Sequence, residues 1–270
     1  MDGAYLEGKP FDLFLFHRDV ELSCHLLESG VGAVIIDLES RGKNQRQAGF
    51  DTEINAHTAD DLRSLRAKTA CQIFCRVSGP DVSDSELTEV INSGADEIII
   101  PMVRHVAEVE RVLRVLKDRC RVTVMIETQE AADQAHVLGR LPIERIYVGL
   151  NDLHIDRGTD TIFAPLVDGY LDRIREQCRD VTFGFGGLTL PDLGAPLAAR
   201  HLYAEMARLD CSFTFLRRSF YRDMAGKDSV QELSGMQSVL RGMQMRTPQS
   251  VSVDQQDLRK ALLQINRQDM

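Results

Sequence analysis

The chain has 270 residues, 43% hydrophobic and 27% charged, and its 41 Asp and Glu outnumber 32 Lys and Arg for a formal net charge of -9. That length suits one α/β barrel, which runs near ~250 residues, and the acidic balance speaks against nucleic acid or an anionic membrane as partner. The opening MDGAYLEGKPFDLF lacks a basic stretch followed by a long apolar core, and no apolar run approaches the ~20 residues of a membrane span, so a cytoplasmic location is expected. The six cysteines (Cys24, Cys71, Cys75, Cys120, Cys178 and Cys211) are scattered without a CxxC pair, which excludes a zinc framework and a disulfide scaffold and leaves them as small apolar residues.

Along the chain, short β-branched or aromatic runs alternate with longer amphipathic ones. Phe11 to Phe16 predicts a first strand, Asp19 to Ser29 a helix closed by Gly30, and Ala33 to Asp37 a second strand. Thr58 opens a helix to Lys68 with the capping-box-like TADD. Cys71 to Val77 is a strand, Ser83 to Ser93 a helix ended by Gly94, and Glu97 to Ile100 a strand. His105 to Asp118 carries valines and leucines at helical spacing, and Val122 to Ile126 follows as the fifth strand, with its helix at Glu130 to Leu138. Arg145 to Val148 is the sixth strand, Phe163 to Arg179 is mostly helical, and Val181 to Gly184 is the seventh strand. A helix over Arg200 to Leu209 leads to the last strand, Ser212 to Leu216.

Parallel strands need crossovers, and eight strands with intervening helices, without a GxGxxG turn after the first, predict a closed (β/α)8 TIM barrel over an open doubly wound sheet. The barrel is placed at 1–245, ending in an amphipathic helix at Asp228 to Met243. Residues 246–270 read as a polar linker and a short C-terminal helix whose stripe of Leu258, Leu262, Leu263 and Ile265 packs either on its own barrel or on a neighbouring subunit.

Barrel active sites form where strands end at their C-termini. Strand 2 ends in Asp37 and Glu39, strand 3 in Arg76, strand 4 in Pro101 and Met102, strand 5 in Glu127, strand 6 in Gly149, Leu150, Asn151 and Asp152, and strand 8 in Arg217 and Arg218. Carboxylates on neighbouring strands suit a hard octahedral cation such as Mg²⁺ or Mn²⁺, and histidine is absent from both positions. A guanidinium ending an apolar strand is costly unless paired, which leaves Arg76 either as a cleft group facing an anionic oxygen or as the internal partner of Asp37 or Glu39. The arginines 217 and 218 read either as cations for a phosphate or second carboxylate, or as partners of Glu205 or Asp223.

At these residues the sequence resembles the HpcH/HpaI aldolase and citrate lyase β-subunit family, within the phosphoenolpyruvate/pyruvate-binding barrels. The matching pieces, in family order, are GVGAVIIDLES (Gly30 to Ser40), CRVSG (Cys75 to Gly79), SGADEIIIPMV (Ser93 to Val103), MIET (Met125 to Thr128) and VGLNDL (Val148 to Leu153). The resemblance implies Glu127 and Asp152 as ligands of Mg²⁺ (or Mn²⁺ or Co²⁺), and Arg76 as the group holding the oxo or enolate oxygen. It implies Gly149 and the N–H groups of Asn151 and Asp152 as the carboxylate site, and Asp37 and Glu39 as further catalytic candidates. It also implies a homo-oligomer, a trimer or hexamer. The activity expected is a class II type aldolase, a metal-dependent carbon–carbon lyase acting on a small 2-oxo acid through a pyruvate-like enolate. The alternatives are a lyase or thioesterase-type enzyme on an acyl-CoA, and a metal-free binding barrel. One departure is plain: the aldolase branch places a histidine after the acidic pair of strand 2, where this chain has Ser40, followed by Arg41 and Lys43. Glu39 and His57 are the side chains that could move the proton instead, although His57 in EINAHT also reads as an ordinary surface or capping histidine.

Overall fold

Residues 10–39 and 57–268 are described by the computed structural model, in which eight parallel strands close on themselves in sequence order. The strands are β1 (Asp12–Phe16), β2 (Ala33–Asp37), β3 (Gln72–Arg76), β4 (Glu97–Ile100), β5 (Arg121–Ile126), β6 (Arg145–Val148), β7 (Thr182–Leu188) and β8 (Phe213–Leu216). β8 pairs with β1 through Asp12 opposite Phe213 and Phe14 opposite Phe215, which leaves the barrel without an edge. The expected (β/α)8 fold is therefore the observed one.

The two-residue period of a strand divides its side chains between barrel interior and helical shell. Phe14, Ala33, Ile35, Phe74, Ile99, Met125, Tyr147, Phe213 and Phe215 fill the interior as one apolar cluster. The intervening residues, among them Leu13, Val34, Ile73, Ile98, Val124, Ile146 and Phe185, pack outward against the helices. Continuing the inward alternation past the apolar layers brings Asp37, Arg76, Glu127 and Gly149 to the C-terminal mouth.

The same alternation plugs the opposite end. Glu97 and Arg145, the first residues of β4 and β6, form a buried ion pair there. The hydroxyl of Thr123 also donates to Glu97, and the Arg145 guanidinium lies 5.4 to 5.8 Å from the ring centroids of Phe14, Phe74 and Phe213. Burial pushes the Glu97 carboxyl upward against the opposing pull of Arg145.

The helices open with local caps. Asp19 caps α1 (Val20–Glu28), Thr58 and Asp61 form a reciprocal capping box on α2 (Ala59–Arg66), and Ser83 caps α3 (Asp84–Asn92). α4 (Val106–Leu116) follows β4. The helix expected over Glu130 to Leu138 is broken at Gln134 into α5 (Gln129–Asp133) and α6 (Ala135–Leu138). A helix absent from the sequence reading, α7 (Leu150–Arg157), starts directly at the end of β6, burying Leu150 and Leu153, and ends on left-handed Gly158. The stretch from Phe163 onward is a 3-10 turn at Ala164–Leu166 followed by α8 (Tyr170–Gln177), because Gly169 takes a left-handed conformation between them. β7 runs four residues beyond the expected Gly184, across a bulge in its pairing with β8.

After α9 (Ala199–Arg208), α10 (Ser219–Asp223) and α11 (Ser229–Gln244), the expected polar linker is instead helical: α12 spans Pro248–Gln268. Proline is well suited to a first helical position, and the Thr247 hydroxyl accepts from the Ser250 N–H at 3.2 Å. Arg246 ties this helix to the barrel, pairing with Asp254 and donating to Ala204 O at 2.7 Å. Leu258 and Leu262 are buried in the core of the same chain, whereas Leu263 is exposed.

The lower plug gives a first prediction. Breaking a buried ion pair from one side costs about 3–5 kcal/mol, while replacing both partners by apolar residues is nearly neutral or stabilising. Glu97→Leu is expected to lose that much in urea unfolding, and Glu97→Leu with Arg145→Met to recover most of it.

Candidate functional site

At the mouth, β2 and β3 present opposite charges in register, Asp37 opposite Arg76. The guanidinium donates from Nε to Asp37 Oδ1 at 2.9 Å and from Nη2 to Oδ2 at 2.8 Å, the parallel two-bond geometry that fixes its plane. Its Nη1 lies 3.0 Å from Glu39 Oε2, and its face covers the Phe16 ring at 4.6 Å. Both sequence readings of Arg76 meet here. It is the internal partner of Asp37 and Glu39, yet these contacts use three of the five N–H groups an arginine carries.

Asp37, fully buried, is thereby a clamp on Arg76, and its Oδ1 also accepts the backbone N–H of Glu39 at 3.2 Å. Its own backbone N–H donates to His57 Nδ1 at 3.0 Å. His57 is thus lodged on the end of β2 and is not a free surface histidine. Because Nδ1 accepts, the neutral ring carries its proton on Nε2. Burial lowers its pKa, partly offset by the nearby charges of Asp37 and Asp61.

Glu127 follows β5 and is buried, its Oε2 accepting the backbone N–H of Met102 at 2.9 Å. Met102 holds a φ of 53°, a left-handed conformation costly for a non-glycine residue, and so turns its N–H toward the carboxylate. The Thr128 hydroxyl donates to Val103 O at 2.7 Å and pins the same loop to the end of β5. Gly149 closes β6 opposite Glu127: a Cβ there would stand 2.5 Å from Glu127 Oε1 and 2.7 Å from Cγ. The position must be glycine for the carboxylate to occupy this place. Desolvation, then the like charges of Asp152 and Glu39, push the Glu127 pKa up to about 8, against the opposing influence of Arg76 and the Met102 N–H. Under it lies an aromatic floor, Tyr147 stacked on Phe215 at 3.9 Å.

Gly149 is also the residue from which α7 springs, so Asn151 and Asp152 fall in that helix's first turn. Backbone N–H groups there have no partner within the helix and lie at its positive end, which accounts physically for a carboxylate-binding turn at this point of the sequence. The structure thus gathers Asp37, Glu39, Arg76, Glu127, Gly149 and Asp152 at one mouth. His57 and Met102, both singled out in the sequence, stand with them, and the structure adds Phe16 and Tyr147. The added pair was accessible from strand alternation, whereas nothing in the sequence signals a left-handed methionine. Ser40, Arg41 and Lys43 lie outside the described residues.

Two carboxylates, Glu127 and Asp152, on adjacent elements fit a hard divalent cation that keeps several water ligands. Among the described residues no group of three or more His, Cys, Asp or Glu side chains forms a protein-only cage. No helix among them is long and apolar enough to cross a membrane.

No protein-family model and no curated protein sequence matches the chain. Solved structures do share its architecture. RipC from Yersinia pestis superposes with a TM-score of 0.56 at 14% identity, covering 89% of this chain and 98% of that one. An HpcH/HpaI aldolase/citrate lyase family protein from Burkholderia cenocepacia J2315 gives 0.59 at 13% identity, over 87% and 94%. The citrate synthase SbnG gives 0.59 at 20% identity, over 86% and 94%. At such identities the likeness is one of fold.

The contact between Gly149 and Glu127 is separable by a double-mutant cycle. Gly149→Ala is expected to destabilise the protein by about 1–3 kcal/mol through overpacking. The same substitution in a Glu127→Ala background should cost far less, as chemical denaturation of the four proteins would show.

Proposed function

We propose that this chain is a divalent-metal-dependent carbon–carbon lyase of the class II aldolase type, a member of the HpcH/HpaI aldolase and citrate lyase family, acting on a small 2-oxo acid. The observation that carries the reading is the placement of Glu127. It is a buried carboxylate set against the like charges of Asp152 and Glu39, in a space that exists only because residue 149 is glycine. Such a site is unfavourable by itself and becomes favourable with a cation between Glu127 and Asp152. The names of two structures of the same fold, an aldolase/citrate lyase family protein and a citrate synthase, are those of carbon–carbon bond enzymes.

Glu127 and Asp152 would hold Mg²⁺, Mn²⁺ or Co²⁺, which supplies Lewis-acid stabilisation of the charge that develops on a substrate oxygen. The chain's own groups do the rest. The first-turn N–H groups of Asn151 and Asp152 receive the substrate carboxylate. Arg76, held in plane by Asp37 and Glu39, directs its remaining N–H groups to the oxo oxygen, where negative charge accumulates as the carbon–carbon bond breaks and its electron pair passes to the 2-oxo fragment. The proton released from the hydroxyl of the departing carbonyl fragment goes to a base, for which Glu39 is the candidate at this mouth, because His57 has its Nδ1 lone pair occupied by the Asp37 N–H and offers only the Nε2–H, a donor. The aromatic floor of Tyr147 and Phe215 shields the reacting carbons from below. A homo-oligomer, trimeric or hexameric, and a cytoplasmic setting belong to the same reading.

Exchange of pyruvate methyl protons in D₂O, followed by NMR beside oxaloacetate decarboxylation, tests this without the natural acceptor. Metal-stripped protein should be inactive and Mg²⁺, Mn²⁺ or Co²⁺ should restore exchange. Glu127→Gln and Arg76→Lys should each lose on the order of 100-fold or more, the scale of a lost charge-stabilising contact. Absence of exchange with every metal would refute the pyruvate-type substrate and turn attention to acyl-CoA thioesters. Full exchange by Glu127→Gln under chelation would refute the metal site.

A further inference from the structure

Arg217 stands one residue past β8, its backbone N–H donating to Leu188 O at 2.8 Å so that the ladder with β7 continues beyond the strand. Its side chain runs under the loop between β7 and α9. There Nε and Nη2 are buried and make no hydrogen bond. The carboxylates of Glu205 and Asp223 are committed to other partners. Glu205 is held by Arg208 at 2.7 Å. Asp223, whose charge Arg217 does feel, accepts the Thr189 hydroxyl at 2.5 Å and lies 3.4 Å from Arg222 Nε.

The room for this guanidinium is made by a second obligatory glycine. Gly194 has a φ of +113°, and a Cβ on it would collide with Arg217 Nη2. The same point lies 3.1 Å from the backbone nitrogen of Ala199, the first residue of the ten-residue helix α9. A desolvated cation is therefore held beside the positive end of a helix, and burial lowers its pKa. Arg222, on the next turn of chain, adds its positive charge to the field at Arg217. The loops after strands 7 and 8 are where α/β barrels recurrently receive phosphate groups, and a guanidinium fork matches an oxyanion with two parallel hydrogen bonds.

We propose that Arg217 is the base of an oxyanion subsite between the loops that follow β7 and β8, taking the phosphate or carboxylate group of a small-molecule ligand. The subsite stands apart from Glu127 and Asp152 and does not depend on a metal there. Gly194 leaves the guanidinium its place, and the anion supplies the hydrogen-bonded counter-charge that Asp223 exerts only at a distance.

Isothermal titration calorimetry of the metal-free, full-length protein with inorganic phosphate and with malonate tests this, the tighter of the two identifying the group. At least one is expected to bind saturably at one per chain, Arg217→Met to weaken it at least tenfold, and Arg217→Lys, which keeps the charge without the fork, to fall between. Thermal unfolding provides a second readout. The anion should raise the Tm of the parent chain and leave that of Arg217→Met unmoved. Equal binding by parent and Arg217→Met, or no binding of either anion to the parent, would overturn the subsite. Since no metal or turnover enters the measurement, either result leaves the lyase reading to its own test.

Discussion

The mouth of this barrel is organised by one guanidinium clamped between two carboxylates. Asp37 takes two parallel hydrogen bonds from Arg76 and Glu39 takes the third contact, so side chains from the ends of adjacent strands become one rigid unit. A charge this deeply buried persists only with such partners, because its desolvation is otherwise uncompensated. The unit extends on both sides. The Asp37 N–H orients His57, and the Arg76 charge partly offsets the repulsion that Asp152 and Glu39 exert on Glu127. Losing the clamp would release the arginine and leave Glu127 among like charges.

The two ends of the barrel use charge in opposite ways. At the N-terminal end Glu97 and Arg145 are closed on each other, with Thr123 and three aromatic rings completing the shell. That arrangement pairs both charges within the chain, although Arg145 Nε is buried without a hydrogen-bond partner. At the C-terminal end Glu127 sits with a strained Met102 on one side and a glycine-only neighbour on the other. Backbone strain and like-charge crowding cost stability, and folds retain them where a ligand repays the cost.

Much of this was legible in the sequence because strands alternate. β2, β4 and β6 have the ends expected of them, and the inward parity of Ile35, Phe74, Met125 and Tyr147 delivers Asp37, Arg76, Glu127 and Gly149 to the mouth. What escaped were elements whose stability is tertiary. α7 contains Asn, Asp and His, weak helix formers, and holds through buried Leu150 and Leu153 and the Gly158 cap, a stop signal that was present in the sequence. The stretch from Pro248 to Gln256 is polar and rich in Ser and Val, yet it is helical because Thr247 caps it and Arg246 anchors it on α9. The place of His57 on β2 depends on a hydrogen bond across 20 residues that no local pattern encodes.

Manganese binding, counted by electron paramagnetic resonance on the metal-stripped protein, tests the central claim most directly. One Mn²⁺ per chain is expected, competed by Mg²⁺ and lost in both Glu127→Gln and Asp152→Asn while circular dichroism shows the barrel intact. No bound Mn²⁺, or a site that survives both substitutions, would contradict a metal centre at the ends of β5 and β6.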